Sequence, residues 1–321
     1  MASPLNIIFY GTPAFAVPSL EILVKNKYTI SGVVTVPDKP AGRGQKILAS
    51  PVKEFAQQHG LNVLQPANLK DETFIQQLRE FKPDLQVVVA FRMMPEVIWG
   101  MPKLGTFNLH ASLLPQYRGA APINWAIMNG EKESGATTFF LQQEMDTGKI
   151  IFREKTGIGE KETAGELHDR LMVLGAQLVL KTVQAISKNH YTLIEQDELI
   201  KNLKLNSAPK LNKQNCRIDK RKSAHEVENF VRGLCPYPAA IADFYNDNGL
   251  SIIVKIYNVN AELKSHDKNS GQIETDNKSY LKIYLKDGCV FVNELQVSGR
   301  NRMQVKDFLN GFKMEGNWEL Q

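Results

Sequence analysis

A doubly wound parallel α/β sheet over residues 1–189, then a small OB-like β-barrel over 209–321, is the architecture predicted by this 321-residue sequence. Three observations predict it. Up to residue 190, apolar β-branched runs alternate with amphipathic segments, the pattern of parallel strands joined by crossover helices. Residues 190–208 are polar, rich in Lys and Asn and without period, as a connector is. Beyond 220, short strand-like runs separated by Asn, Asp and Gly crowd together, and five of them with a helix fit a small barrel.

Each element has a local justification. NIIFYG (6–11) is an apolar run ending at a glycine, and FAVPSLEILVKN (15–26) has helical periodicity. ISGVVTV (30–36) is β-branched and reads as a strand. In SPVKEFAQQHG (50–60), Ser50 suits an N-cap and Pro51 the first helical position. NVLQ (62–65) is a short strand, KDETFIQQLREF (70–81) a helix and LQVVVAF (85–91) a buried strand. GTFNLH (105–110) continues the sheet, and PINWAIMNG (122–130) is helical. GATTFFLQQ and the following KIIFREKT pair as strands, and TAGELHDRLMVLGAQLVLKTVQAISK (163–188) is one long amphipathic helix. The first part is therefore Rossmann-like. In the second, AHEVENFVRGL (224–234) and VKDFLNGF (305–312) are helices flanking the strand runs AAIADFYN, LSIIVKIYNV, SGQIET, SYLKIYL and CVFVNELQV.

Composition excludes several classes. With 43% hydrophobic and 23% charged residues the chain is neither disordered nor a membrane protein. No apolar run reaches the roughly 20 residues of a membrane span, and MASPLNIIFYG lacks the basic-then-apolar start of a signal peptide. Cys216, Cys235 and Cys289 are odd in number and lack metal-ligand spacing, so reduced packing thiols in a cytoplasmic protein are expected. The net charge of +5 is unevenly placed. Residues 1–200 carry 20 basic and 20 acidic side chains, so the whole excess lies beyond them. Lys201, Lys204, Lys210, Lys213, Arg217, Lys220, Arg221 and Lys222 face one acid, Asp219. A solvated connector or a polyanion-binding segment has this character.

A parallel sheet binds ligands beyond the carboxyl ends of its strands. YGTPAFAVPSL (10–20) is no nucleotide loop, having one glycine where three are needed and no phosphate-cradling lysine. FNLHASLLPQYRGAAPINW (107–125) is a better candidate. Residues two apart on a strand share a face, so Asn108 and His110 project together. An amide and an imidazole side by side suit a developing oxyanion, as in acyl transfer. Pro115 and Pro122 restrict the loop that follows. Asp146, in the Gly-containing turn QEMDTGKI, can return to the same edge, where a carboxylate holds an imidazole's tautomer and favours its charged form. Singly, each is an ordinary structural polar residue; in combination they read as a catalytic set.

FNLHASLLPQYRGAAPINWAI (107–127) with MDTGKI (145–150) resembles the signature of the folate-dependent formyltransferases. The resemblance implies that Asn108, His110 and Asp146 are catalytic and that Ser112, Leu113, Leu114 and Pro115 contact the folate. It implies 10-formyltetrahydrofolate as formyl-donor cosubstrate, with no metal and no nucleotide cofactor. Acceptors in the family are glycinamide ribonucleotide, nucleotide-linked amino sugars and the methionyl group on initiator tRNA.

Two features favour the tRNA. TVPDKPAGRGQKILASPVKEFA (35–56) resembles the insertion that the tRNA-acting branch places after its second strand. It sets Lys39, Arg43 and Lys46 among Pro40, Gly42 and Gly44, where glycines allow close approach and cations meet phosphate. SAPKLNKQNCRID (207–219) resembles the start of that branch's C-terminal domain, and the connector lysines Lys204, Lys210 and Lys213 suit an RNA backbone. The expected organisation is a catalytic domain (1–189), a basic linker (190–208) and an OB-like tRNA-binding domain (209–321). The expected activity is formyl transfer to the free amino group of methionyl-initiator-tRNA in translation initiation, by a cytoplasmic monomer with no membrane association. VAFRMMPE (89–96) departs from the family at Phe91-Arg92, and Lys220 stands where an aromatic is common. An amino-sugar acceptor and an RNA-binding module with a silent catalytic domain are the alternatives.

Overall fold

The predicted alternation forms a seven-stranded sheet in the computed structural model, which describes residues 5–41, 46–200 and 204–321, with main chain alone at 40–41 and 46–47. Its strands are β1 (Asn6–Gly11), β2 (Thr29–Val34), β3 (Val63–Leu64), β4 (Leu85–Val89), β5 (Thr106–His110), β6 (Glu133–Phe140) and β7 (Ile150–Gly157). The spatial order is β7-β6-β5-β4-β1-β2-β3. Strands β1 to β5 run parallel, and β6 returns antiparallel to β5. The chain winds outward from β1 to β3 and then restarts at β4 on the other side of β1. The switch point of the sheet thus lies between β1 and β4, where an open α/β sheet leaves a crevice, and β5 ends one strand away beside β4.

Helix α2 (Pro51–Gln58) starts where the sequence predicts, while α1 (Val17–Lys25) and α3 (Glu72–Glu80) each start two residues later than expected, α1 after a short 3-10 turn over Ala14–Ala16. The Ser50 hydroxyl accepts from the Lys53 amide at 3.1 Å with Pro51 at the first position, and Asp71 caps α3 through the Phe74 amide at 3.0 Å. Leu20, Leu23, Val52, Ala56, Phe74 and Leu78 turn inward on these helices.

By packing, the chain forms two units: Met1–Gly119, Ser134–Gly157 and His168–Ser207 in one, and Ala120–Glu133, Ile158–Leu167 and Ala208–Gln321 in the other. The division expected from the sequence follows the chain and leaves 120–133 and 158–167 in the first part. Packing assigns them to the second because helix α4 (Pro122–Met128) buries its face there. Asn124 donates to the Gly233 carbonyl at 2.8 Å, Trp125 to that of Pro209 at 2.8 Å, and Met128 joins the second unit's core. Gly233 is a requirement of this contact, since any Cβ would press on Met128 and the Asn124 carbonyl. Helix α5 (Ala164–Ser187) and the short α6 (Gln196–Ile200) complete the chain up to the connector. Among the described residues, no helix is long and apolar enough to cross a membrane.

In the second unit α7 (Ala224–Leu234) opens with a full capping box, Ser223 and Glu226 each bonding the other's amide. The barrel strands are β8 (Ala240–Asn246), β9 (Ser251–Leu263), β10 (Gln272–Thr275), β11 (Leu281–Leu285), β12 (Gly288–Val297) and β13 (Trp318–Leu320), with α8 (Val305–Gly311) between the last two. They close antiparallel in the order β9-β8-β13-β10-β11-β12, with β12 returning to β9. The barrel therefore has six strands, one more than the sequence predicts. The sixth is the terminal NWEL segment, too short to register as a strand until it fills the gap between β8 and β10. Cys216, Cys235 and Cys289 are buried and unpaired. The Lys220 stem lies over Gly271, covering by its methylenes the place where an aromatic is common.

On the outer face, the Glu274 carboxylate accepts from Tyr284 (2.7 Å), Lys282 (3.0 Å) and Tyr280 (3.0 Å), which hold its pKa down at about 2. Because the folded state favours the ionised form, this contribution is complete above pH 4.5 and disappears as pH falls toward about 2. Glu274→Gln is expected to be less stable than the parent at pH 7, with the difference closing between those limits in urea titrations at successive pH values.

Candidate functional site

Strand β5 ends beside β4, next to the switch point, and its pleat sorts its side chains. Phe107 and Leu109 are buried on one face, at 0% and 3% exposure, while Asn108 and His110 share the other. Asn108 lies between Val88 of β4 and Phe139 of β6, and His110 opposite Thr137 of β6. The half-buried Asn108 amide has no hydrogen-bond partner among the described residues, so its donors remain available to a ligand.

The His110 imidazole is held through one nitrogen. Nε2 lies 2.8 Å from the Tyr117 carbonyl oxygen. A carbonyl only accepts, so Nε2 carries a proton and donates it there. Nδ1 faces the Asp146 carboxylate at 3.9 Å, beyond hydrogen-bond range but close enough for a strong field, with both side chains nearly buried. Asp146 occupies the left-handed region (φ 56°) in the loop between β6 and β7. Its carboxylate accepts from the Gly119 amide at 3.0 Å. Its carbonyl and that of Gly148 accept from the Gln196 amide at 2.8 and 2.9 Å. Gln196 Oε1 in turn accepts two bonds from the Arg118 guanidinium, at 3.1 and 2.7 Å. Gly148 abuts the Phe140 carbonyl so closely that no Cβ fits. The loop carrying the carboxylate is thus fixed at three points, and Asn108, His110 and Asp146 are brought together.

The 112–115 segment is turned inward more than its expected ligand role suggests. Ser112 is 1% exposed and donates to the Gln116 carbonyl at 2.7 Å; Leu114 is fully buried with Phe139 and Ile150. Thr137 fastens the turn, its hydroxyl donating to the Ser112 carbonyl at 2.7 Å and accepting from the Leu114 amide at 3.1 Å. Pro115 is buried, leaving the half-buried Leu113 as the side chain of the four most accessible to a ligand. At the departure from the family pattern, Phe91 packs edge-on to Tyr10 (5.6 Å), and Arg92 ties the segment to the carbonyls of Pro66 (2.5 Å) and Ala67 (3.0 Å).

Among the six expected RNA contacts, Lys39 is exposed at the start of a two-stranded hairpin in which Ala41 pairs with Lys46. The hairpin's root is fixed by Asp38, which accepts from Lys53 (2.5 Å) and Gln65 (2.7 Å). Arg43 lies outside the described residues. In the basic run three cations are neutralised locally: Arg217 by Asp243, Arg221 by Asp219 and Lys222 by Glu226. Lys204, Lys210 and Lys213 are exposed and form no ion pair among the described residues. Nothing in the sequence pointed to the Tyr117 carbonyl or to Thr137. Gln196 sits in the polar tract 190–208, where no periodicity marks it. Among the described residues, no three His, Cys, Asp or Glu side chains cluster closely enough to hold a metal ion.

Known proteins extend this geometry. Residues 5–183 match the family model described as formyl transferase, and 210–313 the one described as formyl transferase, C-terminal domain. A methionyl-tRNA formyltransferase of Bacteroides fragilis is 51% identical over 317 residues, 99% of this chain and 98% of that protein. One of Flavobacterium johnsoniae is 50% identical over 308 residues, 96% of each chain. In three dimensions the chain resembles WlaRD, a sugar 3N-formyl transferase crystallised with dTDP and 5-N-formyl-THF. The TM-score is 0.65 at 22% identity, covering 94% of this chain and all of that one. The chain belongs to the formyl transferase family.

Thr137→Val keeps the shape and removes the hydroxyl, leaving the Ser112 carbonyl and Leu114 amide unpaired in a buried place. A loss of about 1–3 kcal/mol is expected, read from the shift of the urea midpoint.

Proposed function

We propose that this protein transfers the formyl group of 10-formyltetrahydrofolate to the α-amino group of methionyl-initiator-tRNA, supplying formylated initiator for translation in the cytoplasm, and acts as a monomer. The observation that carries the proposal is the convergence of Asn108, His110 and Asp146 at the end of β5, with Asp146 Oδ2 3.9 Å from His110 Nδ1. The 50% identity, over nearly the whole chain, to relatives named methionyl-tRNA formyltransferase supports the choice of acceptor.

The neutral amine attacks the formyl carbon, and the carbonyl electrons move to oxygen. Asn108 donates to that oxyanion from its unpartnered amide. The Tyr117 carbonyl already engages Nε2, so Nδ1 is the nitrogen left to His110 for chemistry. Protonated, it donates to the oxyanion with Asp146 supporting the positive charge; unprotonated, it can take the proton leaving the amine. Collapse re-forms the carbonyl, breaks the bond to N10 and returns a proton to that nitrogen. Leu113 and the main chain of 112–115 contact the folate.

The catalytic machinery occupies residues 1–189. The RNA is held by Lys39, Arg43 and Lys46 of the 35–56 stretch, by Lys204 in the linker 190–208, and by Lys210 and Lys213 at the start of the 209–321 domain. The test follows formyl transfer from 10-formyltetrahydrofolate to initiator and elongator methionyl-tRNA, with a nucleotide-linked amino sugar as control acceptor. Transfer to the initiator alone is the expected result; transfer only to the sugar would refute the proposal. Asn108→Ala is expected to lower turnover by on the order of 10²–10³; near-normal turnover would remove it from the mechanism. Replacing Lys204, Lys210 and Lys213 by Gln should weaken tRNA binding and reduce the slope of log K against log salt by about one for each phosphate no longer neutralised, measured by filter binding.

A further inference from the structure

The turn that presents the Tyr117 carbonyl to His110 pairs the amides and carbonyls of both Gln116 and Tyr117, and one side chain ties it to the connector. The Gln116 amide donates to the Leu113 carbonyl at 3.1 Å, and the Gln116 carbonyl accepts from Ser112 at 2.7 Å. The Tyr117 amide donates to the Asn206 carbonyl at 2.7 Å, and its carbonyl accepts from His110 Nε2 at 2.8 Å. Tyr117 adopts φ 60°, a left-handed conformation that a bulky residue holds only where its surroundings enforce it. The enforcing element is the 204–206 segment. Gln116 Nε2 donates to the Lys204 carbonyl at 2.8 Å, and Gln116 Oε1 accepts from the Asn206 amide at 2.8 Å. The Asn206 side chain adds a bond to the Tyr117 hydroxyl at 3.3 Å.

We propose that Gln116 is a positioning residue: by clamping the 204–206 segment to its turn it fixes the Tyr117 carbonyl, and through that carbonyl the ring plane and proton-bearing nitrogen of His110. One consequence is coupling. Lys204 gives its carbonyl to the clamp while its ammonium group faces solvent. RNA phosphate held at Lys204 therefore steadies the same segment that steadies the imidazole. The coupling rests on the function proposed above; the positioning of His110 does not.

The experiment uses the full chain with Gln116→Met, which keeps the length and loses both hydrogen bonds, and Gln116→Glu, which keeps the acceptor for the Asn206 amide. The first readout is the pair of imidazole ¹⁵N shifts of His110 in the free protein. The parent is expected to show protonated Nε2, and Gln116→Met a mixture of tautomers. The second is kinetics with initiator methionyl-tRNA. Gln116→Met should lower kcat about tenfold, the kinetic equivalent of one net hydrogen bond, with KM changed less than about twofold. Gln116→Glu should recover part of that loss, and it carries the test if the Met variant fails to fold. Adding Lys204→Ala to Gln116→Met should lower kcat no further. Unchanged ¹⁵N shifts with kcat within twofold of the parent would overturn the positioning role; additive losses in the double variant would overturn the coupling. A parent that formylates no methionyl-tRNA would refute the proposed function instead, and the ¹⁵N arm would still decide for or against Gln116.

Discussion

A single hydrogen bond, from His110 Nε2 to the Tyr117 carbonyl at 2.8 Å, sets what the rest of the site can do. It assigns the imidazole's two nitrogens to different tasks, since the one engaged by a carbonyl must keep its proton. Nδ1 is then left facing Asp146 across 3.9 Å. At that separation an imidazolium and a carboxylate attract by about 4 kcal/mol at an effective dielectric constant near 20, against about 1 kcal/mol in water. Both side chains of this pair are nearly buried. A carboxylate held at this distance faces the ring without taking Nδ1 into a hydrogen bond of its own.

That arrangement requires a carbonyl and a carboxylate to be held still, and both lie in loops. Apolar packing positions surfaces; it does not aim a carbonyl oxygen. The loops are held instead by side chains whose donors and acceptors match main-chain groups two at a time: Thr137 on the Ser112 carbonyl and Leu114 amide, Gln196 on the carbonyls of Asp146 and Gly148, Gln116 on the Lys204 carbonyl and Asn206 amide. Each also removes the penalty of leaving a partly buried polar group unpaired. Arg118 shows how far the arrangement reaches, because its guanidinium satisfies the remaining oxygen of Gln196 and so joins the loop after β5 to the loop after β6.

The parts of this molecule legible in the sequence are those carried by short-range pattern. The capped start at Ser50, the buried strand expected within 85–91 and the shared face of Asn108 and His110 all follow from periodicity and capping chemistry within a few residues. The illegible parts depend on partners distant in the chain. The terminal strand Trp318–Leu320 becomes one only by pairing with Ala240–Asn246 and Gln272–Thr275. Helix Pro122–Met128 reads as one more crossover of the α/β alternation, yet the groups it meets, near residues 209 and 233, lie about a hundred positions on. Ser112 and Leu114 carry a family signature, but their inward orientation is decided by Thr137 on another strand. Gln196 and Asn206 stand in a tract whose polarity suggests solvent, and polarity alone does not distinguish a glutamine bonded to water from one bonded to buried carbonyls.

The connector resolves a conflict that its composition poses. A segment dense in lysine repels itself and tends to stay extended, whereas the site needs part of the same segment fixed. The chain separates the two demands by atom type. Arg217, Arg221 and Lys222, where the second unit begins, are neutralised by Asp243, Asp219 and Glu226, so the cations nearest the fold contribute little free charge. Upstream, Lys204 is held through its carbonyl, a group that carries no net charge and is insensitive to what its side chain does. Its ammonium group remains in solvent, where attraction to a polyanion is strong at low salt and screened over about 8 Å at physiological ionic strength. Main-chain atoms hold the segment and side-chain atoms present the charge. One short stretch can therefore be fixed where it meets the imidazole's partner and open where it faces solvent.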